Sequence, residues 1–191
     1  MTFLDHAGQR RRRLLTGLAL TPFAPFGLAY ARAAAASGSA ERFLAFHHTH
    51  TYERLRIAYF ARGQYLPAAL ERIEWLLRDF RTGEAHPIDP RLLDTLFAVC
   101  LACGRDTIEI ISGYRSPKTN AMLRKTGGGG VAKRSLHMDG RAIDVRFAGF
   151  SSARLRDAAI TLGRGGVGYY PGSDFVHLDT GHPRTWGPQG A

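Results

Sequence analysis

The stretch S-L-H-M-D-G-R-A-I-D, residues 135–144, decides how the rest of the chain is read. It opens on a polar turn, ends in the start of a strand, and carries His137 and Asp144 seven residues apart. On one regular strand an odd spacing puts two side chains on opposite faces, so a site that uses both needs a phase change between them. Asp139-Gly140 suits that turn, because glycine accepts positive φ and aspartate tolerates local turn geometry. By itself His-x6-Asp is a weak signal.

Two other segments end strands and bear reactive side chains: G-Y-R-S at 113–116 and D-F-V-H-L-D-T-G at 174–181. Zinc that does chemistry usually takes three ligands from His and Asp or Glu and keeps a fourth position for water, a set that His137, Asp144 and His177 would supply. Strand alternation puts Phe175, His177 and Asp179 on one face, so Asp179 lies on the metal side. Arg115 is a planar, permanently charged donor for a carboxylate or an oxyanion, with a structural salt bridge as the plainer reading. Ser135 either binds substrate backbone or caps its turn. Tyr169, Tyr170 and Trp186 either line a cleft or simply pack.

Around these segments the pattern predicts an α+β domain with a largely antiparallel sheet flanked by helices. Residues 42–62 read as a hairpin. Ala68 to Phe80, after Pro67, spaces Leu70, Ile73, Leu77 and Phe80 as one helical face. Asp89-Pro90 opens a second helix with Leu93, Leu96, Phe97 and Cys100 inward, stopped by Gly104. A strand follows from Thr107, and Ser116-Pro117 caps a third helix reaching about Lys125. Gly127 to Gly130 reads as a loop without a rigid shape of its own. Residues 141–147 form a strand, Ser151-Ser152 cap a helix ending at Gly163, and residues 167–180 return as two strands around Tyr170-Pro171-Gly172.

With 191 residues and 45% apolar content there is length for one cored domain. Residues 1–36 read differently: Arg10 to Arg13, a modest apolar run broken by Pro22 and Pro25, then an Ala-rich stretch. That order is an export signal and small-residue linker, with processing at Ala29-Tyr30-Ala31 or in Ala33 to Ala36, leaving residues 37–191 as the catalytic domain. Paired arginines before two leucines resemble a twin-arginine signal, which implies the twin-arginine machinery as a partner and the periplasm as destination. No segment approaches the apolar span of about 20 residues that a membrane helix needs, so no stable membrane insertion is expected of the remainder. Four arginines and Asp5 fall within residues 1–31, so residues 32–191 keep a formal charge of +7 against +10 for the whole. Such a charge suits nucleic acid, anionic lipid or an anionic polymer; export argues against nucleic acid. Cys100 and Cys103 read as reduced core residues. The H-H-T-H cluster of His47, His48 and His50 has no carboxylate or cysteine at ligand spacing, which weakens it as a metal site.

S-L-H-M-D-G-R-A-I-D also resembles the S-x-H-x-x-G-x-A-x-D signature of the zinc D-Ala-D-Ala metallopeptidases. S-G-Y-R-S-P-K-T-N, G-V-G-Y-Y-P and F-V-H-L-D-T-G are similar to the YcbK-like, murein endopeptidase K branch, over about Phe43 to Trp186. The resemblance implies a hedgehog-like single domain and one zinc ion on His137, Asp144 and His177. It also implies Arg115 as the group holding substrate or oxyanion, and hydrolysis of peptide links in peptidoglycan by a monomer. An acidic residue three positions before the last histidine is the family's base; here it is Asp174, shorter than the common glutamate. Asp179 competes for that role, or else orients a ligand or touches substrate, as Ser135 and Tyr170 would. The other readings are a carboxypeptidase trimming D,D or L,D stem ends, and a wall-binding domain without catalysis.

Overall fold

In the computed structural model residues 41–126 and 131–188 are described; residues 1–36, read above as an export signal and linker, and the glycine run 127–130 lie outside them. The expected hairpin is β1 (Arg42–His48) and β2 (Arg54–Ala61), followed by a short β3 (Gln64–Tyr65). Helix α1 (Pro67–Leu76) has proline in its first turn, and α2 (Pro90–Cys103) starts on an Asp89 cap that accepts from Arg91 N and stops at left-handed Gly104. Then come β4 (Thr107–Ser112), α3 (Pro117–Thr126), a 3-10 turn at Leu136–Asp139 and β5 (Ala142–Arg146). The chain closes with α4 (Ser152–Leu162), β6 (Gly166–Tyr170), a 3-10 turn at Pro171–Ser173, β7 (Phe175–Asp179) and β8 (Arg184–Trp186).

The strands form one sheet in the order β3-β2-β1-β4-β5-β7-β6-β8. Only the β1/β4 and β6/β8 pairs are parallel, so the expected α+β class with a largely antiparallel sheet holds. One face is the core: Ile108, Ile110, Ile143, Val145, Val176 and Leu178 pack with Ile73, Leu77, Leu92, Leu93, Leu96 and Val99 from the α1 and α2 segments. Each such buried aliphatic side chain contributes about 1.5–3 kcal/mol. Cys100 is buried, Cys103 half-buried, and both are free thiols; burial pushes Cys100 up to about 12.

Helix α1 is shorter than its apolar spacing predicts. The chain leaves the helix at Leu77, whose carbonyl accepts from Tyr114 N at 2.7 Å, and Asp79 then accepts from Ser116 N at 2.9 Å. These bonds stitch the end of α1 to G-Y-R-S. They also require glycine at 113, where a Cβ would lie 2.5 Å from the Leu77 carbonyl oxygen. None of the helices among the described residues is long and apolar enough to cross a membrane.

Candidate metal centre and cleft

Alternation along β5 sends Ile143 and Val145 into the core and Asp144 to the other face; β7 does the same with Val176 and Leu178 against His177. Registration across the sheet then builds one row: Ser112 opposite Asp144, Asp144 opposite His177, His177 opposite Gly168, and Gly168 opposite Trp186. His137 joins the row from the 3-10 turn. Gly140, left-handed at φ 63°, supplies the phase change expected at Asp139-Gly140. A Cβ there would lie 2.0 Å from the Pro87 carbonyl oxygen, so the turn and the segment before α2 close tightly on each other.

Hydrogen bonds fix which nitrogen of each ring carries a proton. His137 Nδ1 donates to the Gly113 carbonyl at 2.7 Å, and His177 Nε2 donates to Asp179 Oδ2 at 3.2 Å; both acceptors lack protons. The other nitrogens, His137 Nε2 and His177 Nδ1, therefore present lone pairs. They lie 3.1 Å apart, and Asp144 Oδ1 is 3.2 Å from the first and 2.8 Å from the second. Three acceptors converge with no donor among them in the neutral rings, an arrangement that is stable around a cation. The separations approach the edge of about 3.3 Å that a tetrahedral zinc with bonds of about 2.0–2.1 Å requires, so these residues fit such an ion. Burial raises the pKa of Asp144, but the two histidines outweigh it and hold the carboxyl below its ordinary range. Burial lowers the pKa of His177, yet Asp144 and Asp179 outweigh it and raise it; for His137 burial prevails and the pKa falls.

The group floors a cleft of about 330 Å³ whose walls include Arg115, Arg134, Ser135, Tyr170, Phe175 and Trp186. Arg115 Nη2 reaches Ser112 Oγ and Asp144 Oδ2, each at 3.4 Å, while its buried Nε has no partner among the described residues. Burial lowers the basicity of Arg115, opposed by Asp144 and more weakly by Asp79 and Tyr170. Ser135 precedes the 3-10 turn without capping it, so its hydroxyl is free to face the cleft. His47, His48 and His50 lie elsewhere, on β1 and its turn.

The two acids that compete for the remaining chemistry sit in different surroundings. Asp174 does not line the cleft: ending the Pro171–Ser173 turn in a left-handed conformation, it sends its carboxylate toward Arg146 Nη1, 3.8 Å away, with the side chain 60% exposed. Asp179 does not touch substrate space either. Its side chain is 0% exposed, with Oδ1 accepting from Gly166 N and Gly181 N and both oxygens bridged by Arg184 at 3.1 and 2.7 Å. It stands behind His177 and orients it, the outer partner that metal-binding imidazoles usually have.

Sequence reasoning missed Arg184, Asp79 and the Gly113 carbonyl as supports, along with strand β8. Glycine inside a strand pattern marks a close approach, and Gly168 in G-V-G-Y-Y was such a mark.

A buried His-Asp-His group at the floor of an open cleft is a candidate metal centre open to a ligand. The comparisons narrow it: the family model described as peptidoglycan L,D-endopeptidase MepK matches residues 36–186, and this chain belongs to that family. A relative from Escherichia coli K12, "Peptidoglycan L,D-endopeptidase MepK", is 36% identical over 190 residues, covering 96% of this chain and all of its own length. One from Haemophilus influenzae, "Probable peptidoglycan L,D-endopeptidase MepK", is 43% identical over 147 residues, 76% of this chain and 78% of that protein.

Proposed function

We propose that this chain is an exported, zinc-dependent endopeptidase that hydrolyses an L,D peptide bond in the stem peptides or crosslinks of peptidoglycan. The observation that carries the reading is the trio of converging lone pairs on His137, Asp144 and His177 at the floor of the cleft. The family match and the names of the relatives support the substrate class. Zinc, when bound there, supplies Lewis-acid polarisation of the scissile carbonyl and an acidified water.

The protein's own residues do the rest. His137, Asp144 and His177 hold the ion, and Asp179 keeps the His177 ring in its ligating tautomer. Arg115, in the cleft wall, offers its guanidinium to substrate oxygen, and Ser135 offers a hydroxyl to substrate backbone. Asp174 is the acid assigned to the base role, and because it lies outside the cleft wall that role requires its carboxylate to leave Arg146 and reach the attacking water. It is held by one 3.8 Å ion pair, whereas the Asp179 oxygens are fully engaged and Asp144 is a ligand. The formal charge of +7 kept by residues 32–191 favours an anionic wall polymer through salt-screened attraction. Arg10 to Arg13 and the Ala-rich stretch support twin-arginine export to the periplasm, where a monomer would act.

The test is incubation of the purified protein with intact sacculi, with and without chelator, and mass spectrometry of the released muropeptides. Chelator-sensitive release of L,D-cleaved fragments is expected, lost in Asp174→Ala with metal retained. Absence of release with substoichiometric metal overturns the reading. Full activity in Asp174→Ala removes that residue from the mechanism. In cells, Arg11→Lys with Arg12→Lys leaves precursor in the cytoplasm; normal processing counts against the twin-arginine route.

A further inference from the structure

Beside the metal ligands the cleft carries an aromatic wall whose polar atoms are oriented. Trp186 Nε1 donates to Tyr170 Oη at 2.9 Å, and the phenol ring stacks on Phe175 with centroids 4.6 Å apart at 19°. An indole N–H only donates, so it occupies a lone pair of the hydroxyl and leaves the tyrosine proton to be given elsewhere. Among the described residues that hydroxyl donates to none, while its ring lines the cleft. Trp186 is itself fixed. It lies over Gly168, where a Cβ would come within 2.5 Å of indole Cε2, it tilts against His177 at 5.1 Å, and the Arg184 guanidinium covers its ring at 4.9 Å.

We infer that Tyr170 is a catalytic hydrogen-bond donor to the oxygen that gains charge during peptide cleavage, and that Trp186 is the positioning residue that aims it. The inference rests on the endopeptidase reading. The stacking of Tyr170 on Phe175 does not require the hydroxyl, since phenylalanine at 170 keeps that ring contact. Arg115 and Tyr170 then flank the ligand group as two donors, one permanently charged and one neutral. Neutral donation suits an oxygen whose charge appears only in the transition state.

The experiment compares zinc-loaded wild type, Tyr170→Phe, Trp186→Phe and the double variant on a defined stem peptide. Tyr170→Phe is expected to lower kcat about 100-fold with KM nearly unchanged. Trp186→Phe is expected to lower kcat about tenfold through misdirection of the phenol, and to add nothing in the Tyr170→Phe background. Calorimetry with a phosphinate isostere of the scissile bond should show binding weakened about tenfold or more in Tyr170→Phe, with metal content at wild-type level. Wild-type kcat in Tyr170→Phe overturns the donor role, and equal losses from Trp186→Phe in both backgrounds overturn the positioning role. Loss of metal in Trp186→Phe does the same, because the indole then acts by packing on His177. A wild type without chelator-sensitive cleavage overturns the endopeptidase reading and this inference with it.

Discussion

Two histidine clusters occur on the same sheet and do opposite things. At β5 and β7, His137 and His177 each spend one nitrogen on an acceptor, so their remaining lone pairs converge with Asp144. On β1 and its turn, His48 Nδ1 instead accepts from the backbone N–H groups of His50 and Thr51 at 3.2 and 3.3 Å. The proton of the neutral ring is thereby placed on Nε2, which has no partner among the described residues. His48 packs edge-on against Phe80, and His50 stacks on the same ring at 4.1 Å. Whether a histidine is available to a metal is set by what its other nitrogen faces. Acceptors behind the ring free a lone pair, and donors consume it.

The contrast can be broken most severely at Asp144. Asp144→Asn removes the one charge facing both lone pairs, and metal content by emission spectrometry should fall far below one per chain. Muropeptide release should then drop by more than about 100-fold, the upper end of what losing an outer-shell partner costs. Asp179→Asn tests orientation rather than ligation. Its amide still accepts from Arg184, but it can present N–H to His177 and permit the wrong tautomer. Chelator competition should show metal affinity about 10- to 100-fold weaker.

His48→Asn is the smallest and most specific break. Burial, followed by the neighbouring His50, lowers His48 to about 4 from an ordinary 6.5. The unfolded chain then binds a proton that the folded one refuses, so stability is full above about pH 6.5 and is lost as pH falls toward 4. The loss is about 2–3 kcal/mol. Asparagine can still accept from the turn and does not titrate. Thermal unfolding between pH 7 and 4.5 should therefore fall less steeply in the variant, with metal content unchanged; parallel curves would remove His48 as the source.

Much of this was legible because the relevant signals are short-range. Asp89 and Ser151 cap their helices as their spacing predicts, and Gly104, Gly140 and Gly163 take the left-handed conformations expected of stops and turns. What sequence could not carry is registry between strands. Trp186 sits on a three-residue strand, too short to alternate visibly, and meets His177 only because Gly168 is aligned with both. The end of α1 departs from the sequence pattern for a similar reason: Leu77 and Phe80 continue the apolar spacing, but the Leu77 carbonyl is claimed by Tyr114 from a distant segment. The contrast between Asp174 and Asp179 was equally closed to sequence, since it depends on a left-handed turn and on an arginine five residues further along.

The turn at 136–140 governs how this segment tolerates change. Strand β5 interleaves two messages of period two, one spelling the core with Ile143 and Val145, the other the centre with Asp144. Only the number of residues between His137 and the strand keeps His137 in step with the second message. Removing or adding a single residue there, with no change of chemistry, would leave β5 held by its buried face and sheet pairing and carry the His137 ring away from Asp144 and His177. Drift in composition is open to the exposed Asp139; drift in length is closed to the segment as a whole.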